Sequence, residues 1–433
     1  MNIIIPMAGL GSRFTTYGFS TNKYLLPINI EKTKMIEKAI LTLNIPRGAQ
    51  FIFILREENG EDQELREYLQ HLCKTYSYQC IILSVDHLTE GPASTAYLAK
   101  DYINNEIPLI ISNSDQILDW NFESFINTSK NHDGCVLTYT PNYELIIGDK
   151  DKHSFVRFDE NTNKPVEFVE KTVISKEALV GVHYYKQGTY FIKSAEYLFE
   201  NNIRAPNGEF YLSYTYQALL NMGYNIGAHC LYETEHFYPV GEPEDYFTYY
   251  NSKNRLFMTD IENYNIINES NLFKISIGKK DQTILIENSL IILLNNHPDC
   301  FTSGHHVEYT FVEDTYYLQV PEINVEENKQ VNIDDFIRGW LIGDFEPCVK
   351  RTTDLEVAVL HHKRGEKWGF HYHSEAREIN ILLSGKMIIN NIPIKQNSIF
   401  IFEQNMISCP IFMEDCIVLC IKIPSIPTDK YII

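Results

Sequence analysis

The sequence predicts an α/β fold over residues 1–250, a mostly parallel sheet covered on both faces, followed by a β-rich remainder. Three observations carry this. Short continuous apolar runs alternate with helix-period stretches up to about residue 250. Beyond about 255, strand-like pieces continue without an obvious helix. At 321–335, PEINVEENKQVNIDD carries five acidic residues, one lysine and no apolar periodicity, which reads as a linker. The chain thus divides into 1–250, a β-rich middle segment with an acidic linker at 251–335, and a compact all-β domain at 336–433.

The strands are read from NIIIP (2–6), FIFIL (51–55), QCIIL (79–83), PLIIS (108–112) and GCVLTY (134–139), each short and rich in Ile, Val, Leu or Phe. Helical patterns lie between them at 32–43, 62–76 and 92–103. Strand–helix–strand alternation implies crossover units, whose ligands sit beyond the carboxyl ends of the strands. Further on, QTILIENSLIILL (282–294) and EYTFVEDTYYLQV (308–320) read as strands.

Composition sets bounds. A chain of 433 residues fits two or three domains. Its 44% hydrophobic and 22% charged content is that of a core-forming globular protein. No apolar run approaches the roughly 18 residues of a membrane span, and no secretory signal pattern opens the chain. Nine cysteines without a C-x-x-C pair suit a reduced, cytoplasmic setting. A net charge of −20 argues against nucleic acid and anionic membranes as partners. The first fifty residues run the other way, with six basic and two acidic side chains. A small anionic ligand at a locally positive pocket is therefore expected.

GLGSR (9–13) follows the first strand, and KYLLP (23–27) lies just downstream. Gly9 and Gly11 let backbone N–H groups approach a phosphate, with Ser12 in the same turn. Arg13 offers a forked contact to phosphate oxygens and Lys23 a compact charge.

With the later segments, these motifs resemble the sugar-phosphate nucleotidyltransferase (pyrophosphorylase) family over residues 1 to about 250, closest to the branch of capsule and lipopolysaccharide gene clusters. TEGPAST (89–95) resembles its second nucleotide-contacting loop, with Glu90 and Gly91. NSDQ (113–116) places Asp115 at the magnesium position. FVEK (168–171) resembles the pair that meets the sugar phosphate, Glu170 and Lys171. VGVHYY (180–185) and NGEFYL (207–212) set Gly181 and Glu209 at sugar-pocket positions. The resemblance implies a Rossmann-like (GT-A-like) sheet, with Arg13, Lys23 and Asp115 as the catalytic set. There are departures: Tyr24 stands where the family usually has proline, and Pro239 in FYPVGEPEDYF (237–247) stands where a second metal-binding aspartate is common. Either Asp115 and the phosphates suffice, or Glu242 or Asp245 substitutes, or activity is lost. The first is favoured.

GEKWGFHYHSEAREINILLSG (365–385) fits G-x5-H-x-H-x4-E-x6-G at Gly365, His371, His373, Glu378 and Gly385, and resembles the first motif of the cupin β-barrels. Histidines at i and i+2 on a strand share a face, so His371, His373 and Glu378 are candidate ligands for a divalent transition metal. The second cupin motif usually adds a histidine, and FEQNMISCP (402–410) has Ser408 there. A homodimer through the cupin is the expected assembly.

The expected activity joins an NTP, with a slight lean to CTP, to a sugar phosphate or similar polyol phosphate with Mg²⁺, giving an NDP-sugar and pyrophosphate for surface polysaccharide. Two alternatives stand beside it. A related glycosyltransferase would show a D-x-D pair where this chain has NSDQ. A non-catalytic nucleotide-sugar-binding scaffold or regulator is left open by Pro239 and Ser408.

Overall fold

The run NIIIPM forms the central strand β1 (Asn2–Met7) of a computed structural model that describes residues 1–56, 63–141, 153–263, 268–269, 272–295, 298–303, 306–323 and 329–433. β1 pairs in parallel with β2 (Gln50–Arg56), and β2 with β3 (Gln79–Val85). On its other side β1 pairs in parallel with β4 (Leu109–Ser112). The short strand β5 (Gln116–Asp119) follows, then β6 (Gly134–Tyr139) and a hairpin of β7 (Ser154–Phe158) and β8 (Pro165–Glu170). β9 (Glu177–Tyr185) runs antiparallel between β4 and β6. β10 (Ile226–Cys230) closes the sheet beside β6, and β11 (His236–Pro239) pairs with β5.

Alternation along the strands explains why these runs read as continuously apolar. Ile3, Ile5, Phe51, Phe53 and Leu55 face one layer, with Ile36 and Ile40 of helix Met35–Thr42 and Leu65, Leu69 and Leu72 of helix Gln63–Tyr76. Ile4, Ile52 and Ile54 face the other, with Ala93 and Ala96 of helix Pro92–Tyr97 and Leu212, Tyr216 and Leu219 of helix Leu212–Asn221. A sheet buried on both faces needs apolar residues at both parities.

Cα packing divides the chain into two compact units. The first holds 1–16, 22–26 and 33–246; the second holds 17–21, 27–32 and 247–433. The second unit contains a seven-stranded sheet ordered Phe257–Asp260, Ser398–Phe402, Arg377–Ser384, Cys416–Ile423, Glu356–His362, Trp340–Gly343 and Lys350–Arg351. A six-stranded sheet built from 268–331 shares a single apolar cluster with it, in which Phe273, Leu290 and Leu318 meet Val357, Ile379 and Leu419. Within the stretch expected as a linker, 324–328 lie outside the described residues, Ile323 is buried, and Lys329–Val331 pairs with Cys300–Ser303. Phe19 stacks on Phe370 with 3.5 Å between ring centroids, tying 17–21 into this unit. Among the described residues no helix is long and apolar enough to cross a membrane, and all nine cysteines are free thiols.

Phe53 is fully buried in mid-sheet. Phe53→Ala should remove about 3–5 kcal/mol from the first unit, seen as a lower urea midpoint by far-UV circular dichroism. An unchanged midpoint would contradict this placement.

Candidate active site

The motif loops gather at one edge of the first sheet. β1 ends into GLGSR, β4 into NSDQ and β3 into the loop before Gly91, all at carboxyl ends of parallel strands. Gly11 has φ +63°, and a Cβ at Gly9 or Gly11 would meet no atom within 4 Å. Ser12 opens the short helix Ser12–Tyr17 and is exposed. The turn thus presents open backbone.

Below it, Lys23 Nζ lies 2.8 Å from Asp115 Oδ2. Asn22, whose side chain accepts from Tyr24 N, caps the one-turn helix Lys23–Leu25 that carries the lysine. The side chains of Lys23 and Asp115 are 14% and 27% exposed, so the pair is largely withdrawn from water. Burial alone would depress the ammonium, but Asp115 outweighs it and holds Lys23 well above the usual lysine value. Burial alone would raise the carboxyl, but Lys23 outweighs it and holds Asp115 below the usual range. The field of Arg13 reaches both groups, while Arg13 Nη1 bonds Glu242 Oε1 at 2.9 Å. Arg13, Lys23 and Asp115 therefore come together, yet each cation already faces a carboxylate. The locally positive pocket expected from the first fifty residues is a set of matched pairs.

Asp115 is held from several sides. Val240 N donates to its carbonyl at 2.9 Å. A Cβ at Gly241 would sit 2.8 Å from Asp115 Oδ2, so glycine lets this backbone lie against the carboxylate. Next to it, Gln116 bonds Gly181 twice: its Nε2 donates to Gly181 O at 2.8 Å, and Gly181 N donates to its Oε1 at 3.1 Å. A Cβ at Gly181 would fall 2.1 Å from Asn113 Nδ2. Gly181 is thus the point where β9 closes on the Asp115 loop. Pro239 pairs with Gln116 across β11 and β5, one strand position from Asp115.

A second group joins the remaining motifs. Gly91 has φ +125°, and a Cβ there would lie 2.6 Å from Phe210 O. Phe210 N donates to Glu90 O at 2.8 Å and Ala93 N to Phe210 O at 3.0 Å, knitting the loop to the Glu209 segment. Glu90 pairs with Arg204, whose guanidinium stacks on Phe210 at 3.9 Å. Lys171, at φ +58°, donates its N–H to His153 O at 2.9 Å, and its Nζ sits 5.4 Å from the Tyr211 ring centroid. Glu170 is buried, and burial pushes its carboxyl up although the Ser154 and Ser213 hydroxyls both donate to it. Its bonds tie β7, β8 and helix Leu212–Asn221 together.

Gln116, Arg204 and Tyr211 were not singled out from sequence. An amide that locks a backbone, a guanidinium on a ring and a phenol beneath a lysine leave no spacing signature.

In the second unit, His371 Nδ1 faces Gly369 O at 3.1 Å and His373 Nδ1 faces Asp429 O. His373 Nε2 lies 3.2 Å from Glu378 Oε2, and Asn380 Nδ2 donates to Glu378 Oε1 at 2.8 Å. Ser408 pairs with His371 through backbone bonds in both directions. Burial holds His371 down at about 4, with Lys430 adding to the effect. Burial opposes ionisation of Glu378, but His373 and Lys422 outweigh it and keep the carboxyl low. Among the described residues, no three His, Cys, Asp or Glu side chains assemble as a metal-ligand group, here or around Asp115.

No family model and no curated protein matches the chain. Solved structures to which it is similar include a nucleoside-diphosphate-sugar pyrophosphorylase from Vibrio cholerae RC9, with 22% identity, TM-score 0.47, and coverage of 57% of this chain and 99% of that one. An inositol-1-phosphate CTP transferase from T. maritima has 15% identity and TM-score 0.44, over 59% of this chain and 96% of that one. A UDP-glucose pyrophosphorylase complexed with UDP-glucose has 14% identity and TM-score 0.45, over 59% of this chain and 98% of that one.

Asp115→Asn leaves Lys23 without its carboxylate and should cost the first unit about 1–3 kcal/mol at pH 7. A carboxyl held low when folded stabilises above its unfolded value, near 3.9, and that stability is lost as pH falls through the lower folded value. The gap between wild type and variant in urea unfolding should therefore close only below about pH 4. A gap constant from pH 7 to pH 3 would argue against the pair.

Proposed function

We propose that the first unit is a sugar-phosphate nucleotidyltransferase. An oxygen of a sugar or polyol phosphate attacks the α-phosphorus of an NTP, and the bond to the bridging oxygen breaks in line. An NDP-sugar forms and pyrophosphate leaves with the electron pair. The observation that supports this best is the Lys23–Asp115 contact, with Arg13 alongside, beneath an open glycine turn at the strand ends. Such chemistry rests on positioning and charge neutralisation, and needs no side-chain nucleophile.

In this reading the N–H groups around Gly9, Gly11 and Ser12 receive phosphate oxygens, and Arg13 and Lys23 hold the triphosphate. The triphosphate competes with Glu242 and Asp115 for those cations, so the resting ion pairs keep both side chains in place until it arrives. Asp115 is the residue that would hold Mg²⁺, which when bound supplies further neutralisation of the phosphates. Glu90 and Gly91 border the nucleotide. Lys171 steers the acceptor phosphate, while Glu170, spent on two serines, fixes the hairpin that carries it. Gly181 and Glu209 border the sugar. The base stays open with a lean to CTP, and the product class suits surface polysaccharide synthesis.

The full chain, incubated with each NTP, a panel of sugar and polyol phosphates and Mg²⁺, should release pyrophosphate with one pair and give a product of the NDP-sugar mass. Lys23→Ala and Asp115→Asn should each lower kcat/KM by about 10²–10³ while keeping the far-UV spectrum. Undiminished turnover in Lys23→Ala would overturn the site assignment, and no release with any pair would overturn the activity and leave nucleotide-sugar binding without turnover.

A further inference from the structure

The second unit has a pocket of its own, with a volume of about 70 Å³. Leu360, Phe400 and Val418 form apolar walls on one face of the seven-stranded sheet, and its polar end carries His371, His373, Glu378, Lys422 and Lys430. Two carboxylates, Glu378 and Glu356, stand against two ammonium groups, Lys422 and Lys430, but they are not paired in contact one to one. Glu378 is occupied by His373 and Asn380. Lys422 Nζ has Glu356 Oε2 at 3.8 Å. Lys430 has no carboxylate partner among the described residues; its Nζ lies 4.1 Å from the Trp368 ring centroid. Burial, with Lys422 nearby, pulls its ammonium down to about 8 against the opposing field of Glu378. A half-buried cation turned towards a cavity with no carboxylate in contact is costly unless something brings an anion to it.

The position of Lys430 is built. Its neighbour Asp429 accepts four hydrogen bonds, from Ser374 N at 2.8 Å, Ser374 Oγ at 2.7 Å, Glu375 N at 3.0 Å and Ala376 N at 2.8 Å. On the other side Tyr431–Ile432 pairs with His371–Tyr372. Lys430 is therefore pinned between two fixed points beside the histidines. Two ammonium groups facing one small cavity also oppose a divalent cation there.

We propose that this pocket binds a small organic oxyanion, a carboxylate or phosphate group, in place of a metal ion, with Lys430 receiving it and Lys422 alongside. The non-ionic part of the ligand lies against the apolar walls.

Tryptophan fluorescence tests this on the full chain in EDTA, because Trp340 and Trp368 line the pocket while Trp120 is buried in the first unit. The probes are inorganic phosphate, glucose 6-phosphate, glucuronate and neutral glucose. At least one anion should give a saturable change at least tenfold tighter than glucose, and the phosphate and glucuronate arms identify the head group. Lys430→Gln should weaken that binding at least tenfold, and Lys430→Arg should keep it within about threefold. The double variant Lys23→Ala/Lys171→Ala should leave this fluorescence change unaltered, which excludes the proposed phosphate sites of the first unit as its source. The proposal fails if no anion outcompetes glucose, if Lys430→Gln binds like wild type, or if stoichiometric Zn²⁺ binds without EDTA and is lost in His371→Ala.

Discussion

The contact between Lys23 and Asp115 is the constraint on which the first unit's edge depends. Neither group has full access to water, so neither can lose its partner cheaply. Three pieces of backbone must converge to make the pair: the one-turn helix after the glycine loop, the end of β4, and the chain leaving β11. Each convergence has its own device. Asn22 caps the first, Gln116 locks the second to Gly181, and Gly241 lets the third lie flush against the carboxylate. In the proposed function, this is how a chain of net charge −20 would offer an anion site. It need not project positive potential: Arg13 and Lys23 rest on carboxylates, and the proposed triphosphate would gain what those carboxylates give up.

Much of the α/β architecture was legible because its signal is local. A strand covered on both faces must be apolar at every position, and a helix covering one face must repeat at three or four; both patterns are plain in FIFIL and in 62–76. Strand direction is not a local property. β9 reads VGVHYY, as apolar as its parallel neighbours, and nothing in that run says that it lies antiparallel between β4 and β6. The second unit shows the same limit. An acidic stretch looks like a linker because its few apolar residues have no period, yet Ile323 sits in the shared core, with Val331 and Ile333 packed against it.

The motifs were legible for a different reason than their chemistry suggests. Several motif positions are demanded by local structure: Gly91 by a positive φ and the closeness of Phe210 O, Gly181 by the approach of the Asn113 side chain, and Glu170 by hydrogen bonds from two serine hydroxyls on neighbouring elements. Such residues mark a site because they shape it. The groups that complete the shape, such as Gln116 and Tyr211, act through contacts between segments far apart in sequence, and no spacing rule finds them.

The second unit inverts this relation. There the conspicuous residues, His371, His373 and Glu378, spend their polar atoms largely on one another and on backbone carbonyls, while the inconspicuous Lys430 has no carboxylate in contact among the described residues. A side chain whose needs are met inside the fold has little left for a ligand, however recognisable its motif. Lys430, held in place by Asp429 and the Tyr431–Ile432 pairing and facing a cavity, has none of the described carboxylates in contact. The oxyanion site proposed for this pocket therefore rests on where a cation stands without a carboxylate in contact, more than on where the motif lies.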